Sequence, residues 1–245
     1  MSLQILVDVG NTTVAWCNAG EVGKGANPKV EVLSTRDLLH GQATIPESWH
    51  KATLIVASVV PKLDALLKKD TQLKAYFVSK SDFPEILLKV DIVDEVGIDR
   101  IVNVSAACQR SKQLPLVVVD FGTATTFDVL TAEKAYVGGA IAPGIGLSRD
   151  ILNERTAKLP HIEIFRPEHV IGHNTVAAMA SGLIRAYEAM VDGMVLEIEK
   201  ELGAPVALIL TGGYADLLRV KHPHQVEKHL CFEGLEQVGR QVGQL

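Results

Sequence analysis

Apolar positions in the first third of the chain fall in short, β-branched runs punctuated by Gly, Asn or Pro: Leu3 to Val9, Thr13 to Asn18, Lys29 to Ser34, Thr53 to Val59 and Ala75 to Val78. Runs of this length predict strands, the first three forming an antiparallel meander. Pro61 to Lys69 predicts a helix with proline in its first turn, so the opening order is βββαβ. From about Glu95 to Arg110 the spacing turns helical, with Ile98, Ile101, Val102, Val104 and Ala106 to Cys108 apolar, until Pro115 interrupts it. The pattern then restarts with strands at Leu116 to Asp120, Thr125 to Thr131 and Ala135 to Ile141 and a helix from about Gly146 to Glu154. Asn174 predicts the N-cap of a very long helix whose stripe runs through Val176, Ala180, Leu183, Ile184, Tyr187, Met190, Val191, Met194, Val195 and Ile198. A strand at Val206 to Leu210, a turn at Thr211 to Gly213, a helix near Tyr214 to Arg219 and a closing helix at Glu233 to Val242 complete the reading. Two similar halves are expected, residues 1–113 and 114–245.

Each half opens on the same word. An apolar run ends in Asp8-Val9-Gly10-Asn11-Thr12 and again in Asp120-Phe121-Gly122-Thr123, with Thr125 close behind. A buried strand delivers the Asp at its end, and the Gly lets backbone approach a ligand with no Cβ between them. Hydroxyls of Thr12, Thr123 and Thr125 add donors. Neither loop carries Lys or Arg, and the nearby Gly23-Lys24-Gly25 lacks the upstream glycine of a Walker loop, so a P-loop is excluded. A single Asp-x-Gly turn is ordinary hairpin chemistry. Two copies at the starts of two similar halves instead predict one phosphate loop from each half, serving a shared site.

With 245 residues, 47% of them hydrophobic, the chain needs no staples to build a core. Its net charge of −5, with both signs interspersed, excludes the basic face that nucleic acid requires. Cys17, Cys108 and Cys231 are odd in number and far apart, which fits neither a disulfide framework nor a zinc site and suggests a reducing, cytoplasmic setting. No basic leader opens the sequence and no apolar run reaches the length of a membrane span, so a soluble protein that is not exported is expected. His222, His224 and His229 cluster without a full ligand set and read as a solvated polar face.

Two such halves, with a late strand followed by Gly212-Gly213, resemble the superfamily of actin, sugar kinases and heat-shock ATPases. The fold this implies is α/β, with duplicated ribonuclease H-like domains and a nucleotide cleft between them. Six words in order narrow the resemblance to the type III pantothenate kinases: Asp8 to Thr12, Gly97-Ile98-Asp99-Arg100, Asp120 to Thr126, Gly138 to Gly144, Thr156 to Pro160, and Gly172-His173-Asn174-Thr175. The resemblance implies ATP-dependent phosphorylation of pantothenate, the first step of coenzyme A biosynthesis, by a homodimer. It implies that Asp8, Val9, Gly10, Asn11, Thr12, Thr13, Val14 and Ala15 cradle the ATP phosphates together with Thr123. Asp120 would hold a monovalent cation, K+ or NH4+, alongside Mg2+ on the nucleotide. Gly97, Ile98, Arg100 and Thr175 would bind pantothenate, and Asp99 would take the proton of its hydroxyl. Two carboxylates facing a triphosphate repel it by about 1 kcal/mol per charge pair at 4 Å in water, and more in a cleft, which independently calls for bridging cations.

Several alternatives stay open at this point. Gly97 to Arg100 is also an acidic first helical turn, Gly138 to Gly144 a tight strand-to-helix turn, and Thr211 to Gly213 either an adenosine loop or a plain strand end. The family's Tyr seven residues before its Gly-Ile-Asp-Arg word, and a Pro between, are replaced here by Val90 and Val93. That departure leaves room for a related kinase acting on another small hydroxyl compound, or for a non-catalytic accessory homologue.

Overall fold

The protein is described from a computed structural model covering residues 3–23, 27–111 and 113–243; Lys24 and Gly25 of the rejected Walker reading lie outside the described residues. The chain forms a mixed α/β structure that divides into two compact units: Met1–Leu87 with Asp91–Gln109 and His229–Leu245, and Leu88–Val90 with Arg110–Lys228.

The first unit opens on strands β1 (Gln4–Val9), β2 (Thr13–Asn18) and β3 (Glu31–Ser34), followed by helix α1 (Thr35–Leu39), β4 (Thr53–Ser58), α2 (Pro61–Lys69) and β5 (Lys74–Phe77). The sheet order is β3-β2-β1-β4-β5, with β1, β2 and β3 successively antiparallel and β1, β4 and β5 parallel. One sheet face is filled by Ile5, Val7, Val9, Leu54 and Val56, sealed by Trp16 and Trp49 in edge-to-face contact at 5.6 Å. A two-residue strand, β6 (Leu87–Leu88), and helix α3 (Ile98–Arg110) follow.

The second unit carries β7 (Leu116–Phe121), β8 (Ala124–Leu130), β9 (Ala135–Pro143), α4 (Ile145–Arg155), α5 (Thr175–Leu202), β10 (Ala207–Thr211) and β11 (His224–Val226). Its sheet runs β11-β10-β7-β8-β9-β6. With β7 set against β1, the five-strand order and every strand direction of the first sheet recur, β7 to β9 antiparallel and β7, β10 and β11 parallel. Helix α5 starts where Asn174 accepts a 2.8 Å hydrogen bond from the Ala177 N–H, and stops at Gly203, whose φ of +67° is the left-handed conformation of a helix C-cap. Its inner face, Met179, Ala180, Leu183, Ile184, Val191 and Val195, packs on Val117, Val119 and Phe127 of the sheet. Each such aliphatic side chain contributes roughly 1.5–3 kcal/mol by leaving water. Val176, placed on the same stripe by its spacing, is 41% exposed.

The last helix, α6 (Leu230–Val242), packs against β1 and β4, so the first unit is assembled from three chain segments. A single cut near residue 113 assigns this helix to the other half, because its amphipathic spacing gives no sign of which sheet it covers. The helix read near Tyr214 to Arg219 is a 3-10 turn of Ala215–Leu217. Among the described residues no helix is long and apolar enough to cross a membrane.

Gly139 lies in β9 with φ +156°, where a Cβ would run into the backbone of Phe127 on β8. Gly139→Ala is therefore expected to cost on the order of 3 kcal/mol in urea unfolding. Gly193→Ala, in open space on α5, is expected to stabilise by about 0.5–1 kcal/mol.

Candidate active site

In the first unit, β1 ends in Asp8 between the fully buried Val7 and Val9, and the chain turns at Gly10, whose N–H donates to the Thr13 carbonyl at 2.9 Å. Asn11, Thr12 and Thr13 stand exposed on this turn. Thr35, buried at the start of α1, clamps it: its hydroxyl donates to the Gly10 carbonyl at 2.7 Å and its N–H to the Thr12 carbonyl at 3.0 Å. Sequence reading missed Thr35; the local sign was Ser34, which caps α1 by accepting from the Asp37 N–H at 3.2 Å. Val9 and Val14 are core residues and Ala15 is partly buried, so the open part of the predicted stretch is Gly10 to Thr13.

Asp99 occupies the first turn of α3, where one carboxylate oxygen accepts from the Arg100 N–H at 2.9 Å. A Cβ at Gly97 would meet that carboxylate, so a side chain there would push Asp99 out of this position. Ile98 of the same word is a core residue. Asp8 and Asp99 come together in this unit. Burial first, and then the charge of Asp99, push the Asp8 carboxyl from the ordinary 3.8 up to about 7, against a hydrogen bond from the Cys231 thiol. Asp99 is also raised by burial, opposed by the N–H and charge of Arg100. The Cys231 contact had no sequence signal, being 223 positions from Asp8 (231 − 8).

In the second unit, Asp120 ends β7 as Asp8 ends β1, and Gly122 and Thr123 are exposed on the following turn. The Gly122 N–H donates to the Ala124 carbonyl at 3.1 Å and the Gly144 N–H to the Thr123 carbonyl at 3.0 Å. Two glycines close this cradle: a Cβ on Gly144 would collide with the Gly122 and Thr123 carbonyl oxygens, and one on Gly212, at φ +90°, with the Asp120 carboxylate. The Gly122 and Thr123 carbonyl oxygens thus lie close to each other on the turn that follows Asp120. Thr125, by contrast, is fully buried, its hydroxyl without a partner. Thr211 to Gly213 thus packs directly on the second Asp loop.

Thr175 begins α5 and lines an apolar groove of about 570 Å³ with Ser148, Leu152, Met179, Leu183 and Tyr187. The Tyr187 hydroxyl donates to the Pro143 carbonyl at 2.8 Å and lies 2.7 Å from the Ser148 hydroxyl. Gly172 allows this turn, since a Cβ would meet the backbone of Ala177 and Ala178. Val90 lies 3.8 Å from the position of a Cβ on Gly138. His224 Nδ1 lies 2.8 Å from the His222 carbonyl oxygen and His222 Nε2 lies 3.7 Å from Glu199; among the described residues no group of three or more His, Cys, Asp or Glu is placed to hold a metal. None of the three cysteines is in a disulfide, and burial pushes Cys17 up to about 12.

A strand order repeated around two Asp-x-Gly turns is the fold of the actin-like ATPases and sugar kinases. A Campylobacter jejuni protein described as a Baf family transcriptional activator matches over 98% of this chain and 100% of its own, with TM-score 0.63 and 21% identity. A Listeria monocytogenes protein described as an N-acetylmannosamine kinase matches over 99% of this chain and 99% of its own, TM-score 0.51, 12% identical. Spiroplasma citri MreB 5 bound to AMPPNP matches over 100% and 98%, TM-score 0.51, 11% identical. Residues 4–197 match the family described as type III pantothenate kinase. The type III pantothenate kinase of Myxococcus xanthus is 42% identical over 188 residues, 74% of this chain and 73% of its own length. That of Anaeromyxobacter dehalogenans strain 2CP-C is 43% identical over 192 residues, 75% and 74% respectively. The chain belongs to the type III pantothenate kinase family.

A carboxyl raised to about 7 in the folded protein and 3.8 when unfolded destabilises the fold by nothing below pH 3.8, increasingly up to pH 7, and in full above it. Asp8→Asn is therefore expected to stabilise the ligand-free protein at pH 8 by on the order of 2–4 kcal/mol and to leave it nearly unchanged at pH 3.5. Urea unfolding of both proteins across that range checks the sign.

Proposed function

We propose that this protein transfers the γ-phosphoryl group of ATP to the primary hydroxyl of pantothenate, giving 4'-phosphopantothenate, the first step of coenzyme A biosynthesis. The observation that carries the reading is the pairing of Asp8, beside a turn on which Asn11, Thr12 and Thr13 stand exposed, with Asp99 at the first turn of α3, in a chain of this family. On this reading the Asp8 and Asp120 loops serve one nucleotide in a cleft between duplicated halves. Gly10 to Thr13 and Thr123 contact the phosphates, and Asp120 with its carbonyl cradle takes K+ or NH4+.

Asp99 orients the attacking hydroxyl and accepts its proton as the oxygen bonds to the γ-phosphorus and the bridging P–O bond to ADP breaks. Burial raises its basicity above that of an ordinary carboxylate, which favours that role. Arg100 beside it is suited to the pantothenate carboxylate. Neither loop supplies a cation of its own, so Mg2+ on the β and γ phosphates supplies the charge neutralisation that phosphoryl transfer needs. Thr175 contacts the phosphoryl acceptor, pantothenate, from the α4–α5 groove. A homodimer in a reducing cytoplasm fits the exposed apolar Ile141, Leu147, Ile151 and Val176 and three cysteines that form no disulfide.

Val90, in place of an aromatic pocket wall, favours one second reading, a related kinase for another small hydroxyl compound. Purified protein with ATP, Mg2+, K+ and a panel of alcohols decides between them: phosphopantothenate by mass spectrometry is expected, and a folded dimer inert toward pantothenate but active on another alcohol overturns the first reading. Asp99→Asn is expected to lower kcat by about 10²- to 10⁴-fold with the melting temperature retained.

A further inference from the structure

The family match ends at residue 197, and α6 lies beyond it. Yet this helix is built into the first unit tightly. Gly239 lies on β1, where its carbonyl accepts from the Gln4 side chain at 2.8 Å and where a Cβ would sit 3.0 Å from Gln4 Oε1 and 3.4 Å from Ile55. Gly234 lies on α3, where a Cβ would sit 2.6 Å from both the Val102 carbonyl oxygen and its side chain. Leu230, Phe232, Leu235 and Val238 are buried around these two glycines.

Gln4, Leu6 and Asp8 alternate onto the β1 face that α6 covers, opposite the face of Ile5, Val7 and Val9. From Gly239 back to Cys231 is eight residues of helix, about 12 Å; from Gln4 on to Asp8 is four residues of strand, about 13 Å. Helix and strand therefore run antiparallel with their two contact points in step, and the Cys231 thiol meets the Asp8 carboxylate as its hydrogen-bond donor.

We propose that Cys231 is a positioning residue for Asp8: α6 is a brace, registered on β1 by Gly239 and Gln4, whose thiol fixes the carboxylate behind the phosphate turn. The functional consequence rests on the kinase reading above. The carboxylate is repelled by Asp99 and held against it by this donor, so losing the donor lets it swing. Nucleotide binding then weakens, while pantothenate binding, assigned to other residues, does not.

The test compares Cys231→Ala and the near-isosteric Cys231→Val, which lack the donor, with Cys231→Ser, which keeps one. Calorimetric affinity for Mg2+·AMPPNP, the separate KM values for ATP and pantothenate, and the melting temperature are measured on the full chain. The donor-free variants are expected to lose on the order of fivefold in AMPPNP affinity and to raise the ATP KM by a similar factor, with the pantothenate KM and melting temperature near wild type and with Ser restoring binding. Unchanged affinity in both donor-free variants overturns the proposal, as does a parallel fall of affinity and melting temperature in all three, which marks a packing role. A wild type that binds AMPPNP but does not phosphorylate pantothenate refutes the substrate reading alone, since the binding comparison still decides the role of Cys231.

Discussion

Like charge held at the end of an apolar strand is the constraint around which the first unit is organised. Asp8 closes a run whose neighbours Val7 and Val9 are wholly buried, and its electrostatic partner is another carboxylate, Asp99. Two such charges at close range repel by about 1 kcal/mol in water and several-fold more where water is thinned. The turn beyond Asp8 offers amides and hydroxyls but no Lys or Arg. A site of this kind is incomplete until cations arrive with the ligand, which suits a protein whose substrate is a metal-bound polyphosphate. Much of the local architecture keeps the pair in place: Thr35 on the turn, the Arg100 N–H on Asp99, and a glycine at 97 so that the second carboxylate fits.

The second unit repeats the strand order but solves a different local problem. Around Asp120 the chain brings carbonyl oxygens and glycines, with Gly144 and Gly212 both placed where no side chain fits. Equivalent strand ends thus carry unlike surroundings, one a carboxylate pair, the other an oxygen cradle. Topology sets where the loops emerge, and the residues after the aspartate set what each can hold.

Features encoded by neighbouring residues were legible in the sequence. The bounds of α2 follow from Pro61 at its first turn, the start of α5 from the Asn174 cap, and the strand-end aspartates from apolar runs broken by glycine. Features that depend on partners distant in sequence were not. Three-residue β11 has too little pattern to register, and the expected helix after Gly213 is only a 3-10 turn. Periodicity marked α6 as amphipathic but said nothing of which sheet it covers, so its place on β1 and the approach of Cys231 to Asp8 were invisible. In the site, the same limit separates the two aspartate loops, which were readable, from Thr35 and Cys231, which were not.

The return of the last helix to the first sheet also bears on the order in which the molecule comes into being. Strands β1 to β5 leave the ribosome early, but the Gln4, Leu6 and Ile55 surface stays uncovered until residues 230–242 have been made. The intervening unit, Arg110–Lys228, is contiguous apart from Leu88–Val90 and emerges whole before then. The unit whose strands are made first is thus completed late, and until α6 has emerged part of its sheet stays uncovered, the circumstance in which nascent chains draw chaperones.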